Sequence, residues 1–152
     1  MEQDLPESVK VGLGVFVFDD KNRILFLKRK GAHGGETWGL PGGKLEHGET
    51  FEECSRRETR EEAGLEIDNL RVAAVTNDVF ADTNKHYVTV FTAARATGGE
   101  ARVCEPEKCS DVRWCAPGEF PDPLFLPLHS LAAVNPLCPC GASAQYKECH
   151  GQ

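Results

Sequence analysis

Three carboxylates, Glu58, Glu61 and Glu62, stand three and four residues apart, the spacing that brings side chains to one face of a helix. Like charges so placed repel by about 0.2–0.5 kcal/mol per pair, and a hard divalent cation among their oxygens would remove that repulsion. Mg2+ or Mn2+ suits the donor set, because both take oxygen ligands, retain waters and pair with phosphate. The same run carries Arg56, Arg57 and Arg60, so a solvated helix neutralised by its own arginines is the competing reading.

A second set of chemically capable residues lies near the other end. Cys138, Cys140, Cys149 and His150 follow a C-x-C-x8-C-H spacing. Three thiolates and an imidazole make a tetrahedral zinc donor set. The segment is too short to bury a core, so metal binding is expected to supply most of its folding free energy. Incidental cysteines in an irregular end are the alternative. The remaining Cys54, Cys104, Cys109 and Cys115 have no knuckle spacing and are read as ordinary buried or surface thiols. Cys54 falls near the carboxylate face, where oxidation or a soft metal could reach it.

The carboxylates need a helix to hold them. Thr50 can cap its N-terminus with Glu53 completing a capping box. No Pro or Gly interrupts the chain until Gly64, which can supply a left-handed end. Upstream, Val9, Val11, Leu13, Val15 and Val17 alternate with other residues at strand period. Asp19 to Asn22 make a turn into a second strand, Ile24 to Arg29, and the two are expected to pair as a hairpin. Gly12 and Gly14 share one face of the first strand, leaving room for a ligand or marking a bulge. Further strands are expected over Leu70–Val75, His86–Ala94 and Val112–Cys115, with a polar loop around Asn77, Asp82, Asn84 and Lys85. A second helix is expected over Leu124–Val134, with Pro123 near its start and Asn135-Pro136 beyond its end. This order predicts an α/β sandwich.

Composition fits one small domain. The chain has 152 residues, 40% of them hydrophobic, enough for one core. Its formal charge of -7 argues against a general or stable nucleic-acid surface, yet a polyanionic substrate could bind where metal supplies the positive charge. The N-terminal MEQDLPESVK lacks the basic and apolar regions of a signal peptide, and no apolar run approaches membrane-spanning length. No membrane association and a cytoplasmic location are expected. Seven cysteines without an export signal point to free thiols and a metal site rather than a disulfide framework.

The stretch Gly43 to Leu65, GKLEHGETFEECSRRETREEAGL, resembles the Nudix box, with Gly43, Glu49, Arg57, Glu58, Glu61, Glu62, Gly64 and Leu65 on the pattern positions. Thr59 departs from it, standing where a bulky aliphatic is usual, and its hydroxyl would need a partner. The resemblance covers about residues 8 to 134 and implies a Nudix fold, an α/β/α sandwich with a mixed β-sheet. It implies Mg2+ or Mn2+ held by Glu58, Glu61, Glu62 and the Gly43 backbone, and hydrolysis of a nucleoside diphosphate linked to another group. Glu61 is taken as general base, with Glu62 the nearest competitor and Glu105 or Glu107 as possible assistants. Glu49 and Arg57 are read as an internal ion pair joining loop to helix. Arg29 or Lys30 is assigned to substrate phosphates, against an ordinary basic strand end.

Motifs beginning at Leu27, Trp38, His86 and Glu105 look like the MutT-type group. That group cleaves nucleoside triphosphates to monophosphate and pyrophosphate. Dinucleotide or nucleotide-sugar hydrolysis and a non-catalytic nucleotide sensor or adaptor are the alternatives. Phe16, Phe18, Asn77, Phe80, His86 and Tyr87 are candidates for base contacts, His86 and Tyr87 foremost. The tail resembles the SEC-C zinc motif, including Cys138-Pro139-Cys140-Gly141 and Tyr146. The domains expected are a Nudix hydrolase domain over 1–134 and a zinc-binding tail over 135–152. A homodimer and a protein partner for the tail are implied by resemblance alone.

Overall fold

The computed structural model describes residues 7–151; residues 1–6 of the stretch inspected for a signal peptide lie outside them. Two long strands set the frame. β1 (Lys10–Phe18) runs parallel to β6 (Lys85–Gly98) along its whole length, and β6 pairs antiparallel with β5 (Glu66–Phe80). β2 (Ile24–Arg29) continues the sheet through the Phe18–Ile24 pairing and holds β3 (Trp38–Gly39) on one side and β7 (Cys109–Cys115) along its length. The short β4 (Gly42–Lys44) pairs with β1. The result is one seven-stranded mixed sheet.

β1 is buried on both sides from Gly12 to Phe18, because each face carries its own layer. Val15 and Val17 pack with Leu25, Leu27, Ala63 and Leu65 beneath α1 (Phe51–Ala63). Phe16 and Phe18 pack with Phe26, Phe91, Leu128 and Leu131 beneath α2 (Leu126–Val134). The expected α/β/α sandwich is therefore the fold the chain adopts, and Phe16 and Phe18 belong to its core, away from any base. α1 opens on Thr50, whose side chain accepts from the Glu53 amide while the Glu53 carboxylate accepts from Thr50, and it ends on Gly64 at φ 72°. Ser55 on its inner face meets Thr92 of β6 at 2.8 Å. Thr59 is fully buried and its hydroxyl has no partner.

The polar loop expected around Asn77 is confined to the turn after Phe80. Asn77 lies inside β5, since Thr76, Asp78 and Phe80 alternate inward while Asn77 and Val79 face out. Thr76 and Thr89 both donate to the Oδ2 of buried Asp78 at 2.7 Å, while its Oδ1 is left without a partner. No helix among the described residues is long and apolar enough to cross a membrane.

Candidate active site

α1 puts Glu58 and Glu62 one turn apart on the side that meets β4. The Gly42 amide donates to Glu62 Oε2 at 3.1 Å. A Cβ on Gly43 would sit 2.7 Å from the Glu58 carboxylate, so only glycine lets that strand lie against the acid. The loop after β6 closes the end of the helix, with Arg102 and Cys104 donating to the Ala63 and Glu62 carbonyls, and this brings Glu105 beside the pair. Burial pushes Glu62 well above the usual carboxylate range and the neighbouring Glu58 adds to it; burial also raises Glu58, against the pull of Arg57. Two half-buried acids in contact fit a hard divalent cation.

Arg57 is the hub beneath them. It meets Glu49 at 2.7 and 3.0 Å and Glu58 at 2.7 Å, and holds Glu49 at about 2. Glu61, expected as general base, stands differently. Its side chain is 50% exposed and only 3.4 Å from Arg57, because a residue next to Glu62 in sequence is turned about 100° around the helix axis. The structure brings Glu58 and Glu62 together and leaves Glu61 at the rim. Cys54 is fully buried, and burial pushes its thiol up to about 12, so its expected exposure to oxidation is not what the fold provides.

The carboxylates form one wall of a cavity of about 740 Å³. Lys30, Lys44, Lys85 and Lys108 also line it, together with Glu46 and Glu105, so a chain of net charge -7 still sets cations beside the acids. Arg29 lines the cavity too, where it donates to the His33 carbonyl at 3.2–3.3 Å and lies 3.9 Å over the Phe125 ring. The far end is aromatic. Phe80 is 4.3 Å from His33, 5.3 Å from Phe125 and 6.0 Å from Tyr87, centroid to centroid. Burial and the nearby Arg29 bring His33 down to about 4, so it is neutral at physiological pH. Between the two ends Gly12 and Gly14 leave the sheet bare beside Tyr87 and Phe91, and β1 runs through them without a bulge.

Tyr87 lines the cavity, whereas His86 faces away and pairs with Asn77 at 2.6 Å; strand alternation separates the two. His86 and Asn77 therefore stand outside the cavity lining. Lys44, Lys85, Lys108, His33 and Phe125 were not visible as site residues in the sequence, since each comes from a different loop or strand end.

A model of the NUDIX domain matches residues 9–133. The chain belongs to the Nudix family. Across 101 residues it is 41% identical to a candidate 8-oxo-dGTP diphosphatase of Mycobacterium tuberculosis, a match spanning 64% of this chain and 44% of that protein. The chain thus spans under half the length of that relative. It is 32% identical over 92 residues to an ADP-ribose pyrophosphatase of Methanocaldococcus jannaschii, covering 60% of this chain and 54% of that one. The crystal structure of a MutT NUDIX hydrolase from Burkholderia pseudomallei superimposes with a TM-score of 0.73 at 36% identity, covering 78% of this chain and 91% of that one.

Beyond the matched Nudix residues, Cys138, Cys140, Cys149 and His150 come together with their ligand atoms within 4.8 Å of one another. His150 Nδ1 is 3.3 Å from Cys138 Sγ and 3.2 Å from Cys149 Sγ, and Cys140 Sγ is 3.7 Å from Cys149 Sγ. A zinc tetrahedron with the usual bond lengths has S–S edges of about 3.8 Å and S–N edges of about 3.5 Å. The cluster could hold a metal ion with little adjustment. Burial and the adjoining thiols push Cys149 up to about 12, a cost that a bound cation removes. Cys54, Cys104, Cys109 and Cys115 join no such group among the described residues.

Proposed function

We propose that this Nudix protein is a Mg2+- or Mn2+-dependent pyrophosphohydrolase that cleaves nucleoside triphosphates to nucleoside monophosphate and pyrophosphate. The observation that carries the reading is a single cavity with paired, half-buried carboxylates against Gly42-Gly43 at one end, lysines along its rim and an aromatic end opposite. A nucleotide has matching parts: polyphosphate for the lysines and metal, a flat base for the rings.

Glu58, Glu62, the Gly43 backbone and, after a side-chain rotation, Glu61 would hold the cation. When bound, it neutralises phosphate charge and lowers the pKa of its water. Arg57 anchors Glu58 and so fixes the loop of Glu49 to the helix. Arg29 or Lys30, with Lys44 and Lys108, draws the phosphates in. A carboxylate of the helix accepts the water proton, Glu61 or Glu62 being the candidates. Tyr87, Phe80 and His33 seat the base. Zinc is assigned to Cys138, Cys140, Cys149 and His150 in a SEC-C-like segment, with residues 1–134 as the hydrolase domain and 135–152 as the tail. A cytoplasmic location, a homodimer and a protein partner for the tail belong to the same reading.

The test is phosphorus NMR of products from canonical and oxidised nucleoside triphosphates, ADP-ribose and nucleotide sugars, with and without Mg2+. Mg2+-dependent pyrophosphate plus monophosphate is expected from triphosphates. Turnover confined to ADP-ribose or a nucleotide sugar would transfer the chain to the alternative hydrolase class, and no turnover of any compound would leave a nucleotide-binding role.

A further inference from the structure

We propose that the Cys138–Cys140–Cys149–His150 centre is an internal staple of the catalytic domain, with His150 as the positioning residue that fastens the turn between β1 and β2. The inference rests on the zinc reading above and gives that metal a place in the fold.

A short zinc-binding tail can stand clear of the domain it follows or pack against it. This one is turned inward. His150 and Tyr146 are 0% and 1% exposed, and Cys138 is 2% exposed. Tyr146 stands edge-on to Phe16 at 6.1 Å and beside Phe120 at 6.5 Å, and His150 stands edge-on to Phe18 at 5.4 Å. Tyr146 and Cys138 share one apolar cluster with Phe91, Leu128 and Leu131. Arg71 of β5 donates to the Pro139 carbonyl.

The decisive contact is the second nitrogen of His150. Its Nε2 is 2.9 Å from the Asn22 carbonyl. A carbonyl only accepts, so Nε2 carries the hydrogen, and the lone pair of a neutral ring is left on Nδ1, the atom among the thiols. An imidazole that ligates through one nitrogen and donates through the other is oriented at both ends. Asn22 is the tightest point of the hairpin, at φ 60°, and the turn closes through Asn22 N–H to Asp19 and Asp19 N–H to Arg23. Metal at Nδ1 therefore holds the ring in the pose that ties this turn. The same cluster reaches the substrate cavity, because Leu128 packs in it and lines the cavity.

The test uses the full chain with zinc content measured, Mg2+ absent, and zinc then removed with a zinc-selective chelator. One unfolding transition is expected, falling by roughly 10 °C on zinc removal, with amide exchange at Asp19 and Asn22 rising about tenfold together with that of the tail. A melting temperature unmoved within about 2 °C, or faster exchange confined to residues 135–151, overturns the staple while leaving zinc binding intact. His150→Cys separates the two roles, since a fourth thiolate keeps zinc but cannot reach Asn22: zinc content should persist while exchange at Asn22 rises. Wild-type protection of Asn22 in that variant also overturns the proposal. Zinc-free protein after reconstitution with zinc salt sinks the metal reading itself, and the staple with it.

Discussion

At the scale of the residue, Glu62 carries the sharpest consequence. Glu58 and Glu62 are both held above their ordinary value of 4.5. Above that pH the folded, Mg2+-free protein binds more protons than the unfolded chain, so its stability falls as pH rises. Melting temperatures without Mg2+ should decline as pH rises above 4.5, Mg2+ should stabilise more at the upper end, and Glu62→Gln should flatten the slope. A slope unchanged in that variant would show that the pair is not its source. The same variant should lose about a hundredfold in kcat. Glu61→Gln decides the base: a comparable loss places Glu61 in the chemistry despite its exposed pose, and near wild-type turnover at saturating Mg2+ assigns the proton to Glu62. Spacing made the carboxylates legible as a set. It could not rank them, since burial depends on how β4 and the loop of Glu105 close over the helix. His86 and Tyr87 part for a related reason: a motif records neighbours in sequence, while a strand sends them to opposite faces.

At the scale of the element, α1 was readable end to end, because its capping box and terminal glycine are local chemistry. Thr50→Ala should cost about 1 kcal/mol, or roughly 2–4 °C in melting temperature, with little change in KM; an unchanged Tm would mean the cap is idle. β5 was readable only in part. Its first half alternates weakly, with register shifts between Asp68 and Arg71 and between Val72 and Ala74, and its second half carries Asp78, a residue that strand composition disfavours. What keeps Asp78 in the sheet is a pair of threonine hydroxyls, one eleven residues away. Likewise the lysine rim draws on Lys30, Lys44, Lys85 and Lys108, four positions whose convergence is a property of the sheet order.

At the scale of the whole molecule, the parallel pairing of β1 with β6 and the docking of the tail are the two features that bring distant segments together. Tyr146→Ala should destabilise the entire protein by about 3–5 kcal/mol, near 10 °C, in one transition read alike by tail and sheet probes. Two separate transitions would instead make residues 135–152 a unit of their own. The mixed sheet followed from the family pattern, but the inward face of the tail did not, since nothing local marks Tyr146 as a partner of Phe16. Asn22 and His150 lie 128 positions apart, which has a bearing on synthesis. A ribosome exposes the hairpin long before it exposes the histidine, so the nascent sheet must wait with its first turn unsealed and its aromatic face uncovered. Loops of that length close slowly, and partly assembled β-structure is where aggregation begins. Yield of soluble protein should therefore depend on zinc supply during translation.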